Sequence, residues 1–411
     1  MSDILRRRVS RRRALSSAAK AAVGAGVAAV IGWGAAGYFA TQSARTVTKT
    51  VTVERTVTVG TTVKETVKPP MGGEPPKPDR LIVRTWGEPF DKALMDAVGK
   101  SFQDKYGIKI EFDYTEDNEI QPKLIQMVSA GKQPPIDVNW TTSVNAMREA
   151  LWGLAIDLTP EDVPNLDGMK DVARPEPIEG YAGWPFVNIY AYTTSLAYRT
   201  DQVDEPPKSW RELWDPMYEK SLGLYDDGFG FITVLAKLAG LKLPDDLTDP
   251  AKMEPVWDLL RDLKPTIGGL GEDPDHFNWL LTGQFKFVAT LTANAFAAKS
   301  EGAPVAWTVP EEGVDMQTDA LYVLRNLPPE REYWAKKLVN EALTPEAQSK
   351  LAEFLGLPTL HKEADYPDWM DEDPASPTRP EDFEKMIIIP IRVRVEHENY
   401  WFEKFVEIVS E

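Results

Sequence analysis

Beyond residue 80, short apolar runs alternate with stretches of helical periodicity. Leu81-Ile82-Val83-Arg84-Thr85-Trp86 suits a buried strand, and Gly87-Glu88-Pro89 breaks it. From Asp91 to Tyr106, apolar residues fall at Leu94, Met95, Val98 and Phe102, which is helical spacing. Gly107 closes that helix. Residues 108–114 alternate as a strand, Ile120 to Ala130 read as a helix stopped by Gly131, and Ile136 to Trp140 read as a further strand. Strand and helix in this alternation predict a parallel sheet with helices on its faces. The theme recurs: a strand at Leu222–Tyr225, a helix from Gly230 to Ala239, another helix containing Asp258 to Leu263, and a strand from Phe285 to Leu291. Two α/β units of about 100 residues each are therefore expected. Ligands of open α/β sheets bind beyond the carboxyl ends of the strands. That rule points to the loops at 86–88, 116–118, 140–143, 226–229 and 292–294.

The first 80 residues have a different pattern. Arg6, Arg7, Arg8, Arg11, Arg12 and Arg13 form a cationic head, and 10–15 (Ser-Arg-Arg-Arg-Ala-Leu) resembles the twin-arginine export motif. An uncharged apolar run from Ala21 to Ala40 follows. As a helix it would reach about 30 Å, enough to span a bilayer. Residues 1–45 are expected to be an export signal or membrane anchor, with the cationic head held in the cytoplasm. Small residues at 41–44 offer a cleavage site, and the length of the run permits a retained span. Residues 46–79 repeat a Thr-Val theme and end in Gly and Pro, which suits an extended stalk. A short strand or self-association is the competing reading, and the threonines could carry O-linked sugars. The expected location is the extracellular face of the cell membrane.

Composition narrows the chemistry. None of the 411 residues is cysteine, which excludes disulfides, thiolate metal sites, cysteine nucleophiles and a cysteine-linked lipid. Residues 1–79 hold 13 of the 46 basic and 5 of the 64 acidic residues, leaving 33 and 59 beyond, a balance near −26. Such a body repels nucleic acid and anionic lipid and favours a cationic ligand, although a solvated acidic surface accounts for the same numbers. An exported hydrolase is the enzymatic alternative. With three histidines (His276, His361, His397) and no GxSxG, HExxH or Walker pattern, no catalytic constellation stands out. No enzymatic activity, cofactor or metal is expected.

Several segments, in order, resemble the extracellular solute-binding proteins of ABC importers, and among them the spermidine/putrescine-binding branch. They are 102–110 (Phe-Gln-Asp-Lys-Tyr-Gly-Ile-Lys-Ile), 114–119 (Tyr-Thr-Glu-Asp-Asn-Glu), 206–216 (Pro-Pro-Lys-Ser-Trp-Arg-Glu-Leu-Trp-Asp-Pro), Gly302-Ala303-Pro304-Val305, Asp319-Ala320-Leu321 and Gly356-Leu357-Pro358-Thr359. The resemblance spans about 81–411. It implies a two-lobed, periplasmic-binding-protein-like α/β fold of type II that closes about a hinge. By that analogy lobe one is 80–188 plus 292–326, lobe two is 189–291 plus 327–411, and the hinge lies near Asn188–Tyr192, Leu291–Thr292 and Asn326. It further implies a monomer that captures a small solute and docks on an ABC permease complex. The solute is a polyamine or other cation; sugar, thiamine, iron and phosphorylated solutes are carried by the same fold.

Candidate ligand contacts follow. Trp86 stands where the family places an aromatic on the ligand; core packing is its other reading. Three residues on, where the polyamine branch has another aromatic, this chain has Pro89. Asp227 matches a carboxylate that holds ammonium in that branch, or else it caps a helix. The second carboxylate position falls at Gly230, and the branch's cleft tryptophan aligns with Leu291. Glu88, Glu116 and Asn118, with Asp117 between the last two, offer carboxylates or an amide, against simple surface solvation. Trp140, Thr141, Thr142 and Ser143 offer an aromatic and hydroxyls at a strand end, suited to an anion or a sugar. Asn139-Trp140-Thr141 also matches the glycosylation acceptor pattern. Tyr190, Tyr192, Phe229, Thr292, Asn294 and Asp319 complete the candidate set, with Asp319 also readable as a structural residue of the hinge. Trp279 and Trp307 read as core. The Pro- and Asp-rich stretch 366–380 reads as an inserted surface loop.

Overall fold

The computed structural model describes residues 73–411. The expected export signal or anchor (1–45) and the expected stalk up to residue 72 lie outside the described residues. No described helix is long and apolar enough to cross a membrane. Residues 73–79 run without helix or strand into β1 (Arg80–Arg84). The Pro76 carbonyl accepts a 3.2 Å bond from the Trp334 indole.

The first elements follow the apolar pattern closely. After β1 come α1 (Phe90–Leu94), a π-helical turn over Met95–Gly99, and α2 (Lys100–Tyr106), ended by Gly107 in the left-handed region at φ 72°. Next are β2 (Lys109–Asp113), α3 (Asp117–Ser129), β3 (Val138–Thr142) and α4 (Ser143–Leu151). Then β4 (Val187–Arg199) runs for 13 residues, all of them buried. The second α/β series is β5 (Leu222–Tyr225), α5 (Phe231–Leu238), α6 (Glu254–Leu263), β6 (Ile267–Gly271), α7 (Asp273–Thr282), β7 (Phe287–Leu291) and α8 (Thr292–Ser300). The chain finishes with β8 (Val305–Thr308), β9 (Val314–Val323), α9 (Pro329–Ala342), α10 (Pro345–Leu355), α11 (Asp368–Asp371), β10 (Met386–Ile387) and α12 (Ile391–Ser410).

One sheet connects everything, in the order β2-β1-β3-β9-β4-β7-β5-β6, with β8 on β4 and β10 on β9. Both ends are parallel: β1 pairs with β2 and β3, and β5 with β6 and β7. The middle is antiparallel, because β9 pairs with β3 and β4, and β4 pairs with β7 and β8. The long strands join the two series. Thr194 of β4 faces both Leu291 of β7 and Asp315 of β9, and Tyr190 faces Asp319.

Packing groups the later segments with the two series. α8 packs on α7, β7 and β4, and β8 pairs with Leu196–Arg199, so 292–308 belongs with the second series. α9 packs on β9 and β1, and α10 on α1 and the π-turn, so 329–355 belongs with the first. The chain crosses between the series along β4, which contains residues 188–192, and along β9, whereas residues 291–292 step from β7 into α8 within the second series. Aromatic packing holds the first series together. Trp334 of α9 meets Tyr106 at 5.1 Å and Phe102 at 6.4 Å, while Trp140 meets Phe90 at 5.6 Å and Tyr190 at 6.0 Å. Burial of a ring such as Phe102 contributes about 1.5–3 kcal/mol. α12 lies across α4 and α6, with its own Trp401 and Phe405 buried.

Candidate functional site

Two polar clusters form where the strands end. In the first series, the buried Arg84 guanidinium meets the Asp117 carboxylate at 2.6 Å and donates to the Thr115 carbonyl at 2.9 Å. The Trp86 indole and the Thr141 hydroxyl each donate to Asp117 at 3.0 Å. Asp117 opens α3, where the helix dipole also favours a negative charge. One carboxylate thus fixes the ends of β1 and β3 to the start of a helix.

In the second series, the Tyr225 hydroxyl donates to Asp273 Oδ1 at 2.6 Å, and Asn294 Nδ2 donates to the same oxygen at 2.9 Å. The Leu291 amide donates to the Tyr225 oxygen at 3.1 Å. Thr292 donates to Ser195 Oγ at 2.8 Å, and its hydroxyl lies 2.9 Å from that of Thr193. The ends of β5 and β7, the start of α7 and the middle of β4 are held in one arrangement.

A cavity lies between Phe90 of the first series and the Asp273, Leu291–Asn294 and Phe296 edge of the second. Tyr192 and Thr193 of β4 form its floor, and Leu357 and Pro358 border it. Trp369, Asp373, Ala375 and Ser376 form a further wall. Three carboxylates line it, Asp273, Glu353 and Asp373, and no Lys, Arg or His among the described residues does. Aromatic and aliphatic surface makes up most of the rest. A second cavity, beside β9 and the start of α12, is lined by Ser143, Arg174, Glu176, Asn188, Gln317, Thr318 and Arg394, among others. Of its two guanidiniums, that of Arg394 is already committed to Asp315 and Glu398, and that of Arg174 lies over the Trp184 ring at 5.6 Å.

Residues 97–378 match the family described as bacterial extracellular solute-binding protein. The chain belongs to that family. The solute-binding protein is 25% identical over 284 residues to the spermidine/putrescine-binding periplasmic protein of Salmonella typhimurium, covering 68% of this chain and 77% of the relative. Among solved structures, the spermidine/putrescine ABC transporter substrate-binding protein of Streptococcus pneumoniae superposes with a TM-score of 0.67 at 18% identity, covering 81% of this chain and all (100%) of that one. An ABC transporter substrate-binding protein from Bradyrhizobium japonicum superposes with a TM-score of 0.66 at 20% identity, covering 80% and 99%. The mixed α/β fold is thus that of the periplasmic binding proteins. These relatives are solute-binding proteins rather than enzymes, and they place the chain among exported proteins.

Within this solute-binding protein, Tyr192, Thr292 and Asn294 line the first cavity, and Ser143 lines the second. The other candidates lie elsewhere. Trp140 has no exposed surface and belongs to the core. Trp86 and Thr141 serve Asp117, and Trp86 packs edge-on at 5.2 Å against Phe90, which does line the cavity. Thr142 caps α4 by accepting the Asn145 amide at 3.2 Å. Glu88 pairs with Lys92 at 2.7 Å, while Glu116 and Asn118 are exposed around the start of α3. Asp227 Oδ1 accepts the Phe229 amide at 2.9 Å and so shapes its own turn, and Phe229 packs on Tyr225 at 5.5 Å. Tyr190 and Asp319 are buried and bonded to each other. Asn139 is fully buried and donates to Glu149 and Tyr322 at 3.1 Å each, which removes it as a glycosylation acceptor. Trp279 is core, as expected, whereas the Trp307 indole donates to Asp373 at 2.7 Å beside the cavity.

Sequence reasoning missed Phe296, Leu357 and the wall at 369–376. Phe296 sits one helical turn beyond the flagged 292–294 loop, so the rule of strand ends had reached its edge. The 366–380 stretch carried no apolar period, and nothing local indicated that it folds back over a cleft.

Proposed function

We propose that this protein captures a small cationic solute in the cavity between the two α/β series and delivers it to an ABC permease. The carrying observation is the cavity's charge: three carboxylates and no basic side chain, set in aromatic and aliphatic walls. A buried cation needs a carboxylate partner, and a buried anion facing these carboxylates would meet repulsion with no compensating donor charge. The relatives described as binding spermidine and putrescine take cations of this kind. The two series act as lobes hinged on β4 and β9, and they close over the solute. Thr292 and Asn294 line the second-series edge, and Asp273 meets the positive charge.

The test is thermal unfolding of the purified protein against amines, sugars and phosphate esters. An amine at ~100-fold its dissociation constant stabilises by about 2.7 kcal/mol. Stabilisation by a sugar or a phosphate ester with no response to any amine would contradict the reading.

A further inference from the structure

The stretch 366–376 is built as a strap across the cavity. At its first end the Tyr366 hydroxyl donates to the Thr359 carbonyl at 2.6 Å. The Lys170 ammonium reaches the Tyr366 oxygen at 3.1 Å and the Thr378 carbonyl at 2.8 Å, and burial there pushes its pKa down to about 8. The middle of the strap rests on the second series. The Trp369 ring lies 4.8 Å from that of Phe296, inclined by 30°. Asp373 accepts the Trp307 indole, and the Thr193 hydroxyl donates to the Ala375 carbonyl at 2.6 Å. Trp369 also covers Gly356, where an added Cβ would lie 3.6 Å from the indole edge.

The carboxylates of the cavity are unequally available. Asp373 Oδ1 accepts from Trp307 and from the Ala375 amide at 2.9 Å, and its Oδ2 accepts from Ser376 at 2.8 Å. Both oxygens are held by the strap itself. Asp273 receives Tyr225 and Asn294 on Oδ1, which leaves Oδ2 without a donor among the described residues. Glu353 stands exposed at the rim. The interior therefore presents one carboxylate oxygen and a broad apolar wall of Phe90, Leu291, Phe296, Leu357 and Trp369.

Resting on the proposed capture of a cation, we propose that the strap sets specificity: Trp369 and Phe296 pack the apolar body of a monoamine whose single ammonium is held at Asp273. A second ammonium held inside the cavity, short of Glu353 at the exposed rim, would be desolvated against the apolar wall without a carboxylate partner, which is unfavourable. Attraction to an aromatic face offsets only part of that loss.

Calorimetric titration of the full chain with phenethylamine, hexylamine, putrescine and spermidine tests this, on the wild type, Trp369→Ala and Trp369→Phe. The monoamines are expected to bind about tenfold tighter than putrescine. Trp369→Ala should weaken them by about tenfold, with Trp369→Phe within about threefold of the wild type. The Phe variant keeps the test valid if the Ala variant fails to fold. Putrescine or spermidine binding as tightly as the monoamines, or wild-type monoamine affinity in Trp369→Ala, would overturn the strap's role and leave cation capture standing. Absence of binding by all four amines would overturn both.

Discussion

Tyr190 of β4 and Asp319 of β9 face each other in register, and the phenol donates to the buried carboxylate. That bond ties together the two strands along which the chain crosses between its α/β series. Tyr190→Phe removes the donor and leaves the shape of the core unchanged. The expected cost is about 1–3 kcal/mol, the scale of an under-satisfied buried group. Denaturant unfolding should show a lower midpoint with an unchanged slope. An unchanged midpoint would mean that the bond contributes nothing to the stability of the crossing strands.

A second tie crosses nearby. Arg394 at the start of α12 and Asp315 of β9 are 3% and 1% exposed and ion-paired, and Thr233 donates to the same carboxylate at 2.8 Å. Asp315→Asn leaves a buried guanidinium with Glu398 as its remaining ion-pair partner. Breaking a buried pair of this kind costs about 3–5 kcal/mol. Circular dichroism at increasing temperature should show the variant melting well below the wild type.

Gly230 explains a departure that the sequence displayed without giving its reason. Its φ is 71°, and a Cβ there would lie 2.2 Å from the Thr194 hydroxyl oxygen. The position aligned with the polyamine branch's second carboxylate therefore cannot hold a side chain in this fold. Gly230→Ala is expected to lose at least about 1–3 kcal/mol of stability through backbone strain and the clash. Equal unfolding midpoints for variant and wild type would contradict this.

Glu149 supplies a pH signature. It is fully buried beside Asn139, and burial raises its pKa from 4.5 to about 7, with the Tyr322 hydroxyl opposing the shift. The folded state therefore prefers the protonated acid. Its contribution to stability is full below about pH 4.5 and is lost as pH rises to about 7. The loss is of order 3 kcal/mol. Glu149→Gln should flatten stability against pH across that window and make the protein more stable than the wild type at pH 8. A parallel pH profile for the two proteins would contradict this.

The parts of the fold legible in the sequence were those with a clear period. The alternation at 108–114 became β2, and the helical spacing from Leu94 to Phe102 became α1 and α2 with a π-turn between them. β4 was not legible as a strand because all of its residues are buried yet include Asn188, Thr193, Thr194 and Ser195, so neither alternation nor an apolar run marks it. The crossing expected near 188–192 falls within β4, but β9 carried no readable strand signal, and the helices after 291 and after 326 pack on the other series from the one expected. At the candidate cavity, the strand-end rule points to Thr292 and Asn294, which line it. It did not reach Trp369, which touches the cavity through contacts with residues more than 60 positions away in the chain. Asp227 shows the converse: a carboxylate at a matching position spends one oxygen on its own turn.

The most direct test of the central claim is calorimetric titration of the wild-type and Asp273→Asn proteins with the amines named above. Cation capture at Asp273 predicts a saturable heat with the wild type and an affinity lower by about 1.5–3 kcal/mol in the variant, the scale of a charged hydrogen bond. Equal affinities, or saturable binding only of sugars or phosphate esters, would contradict it.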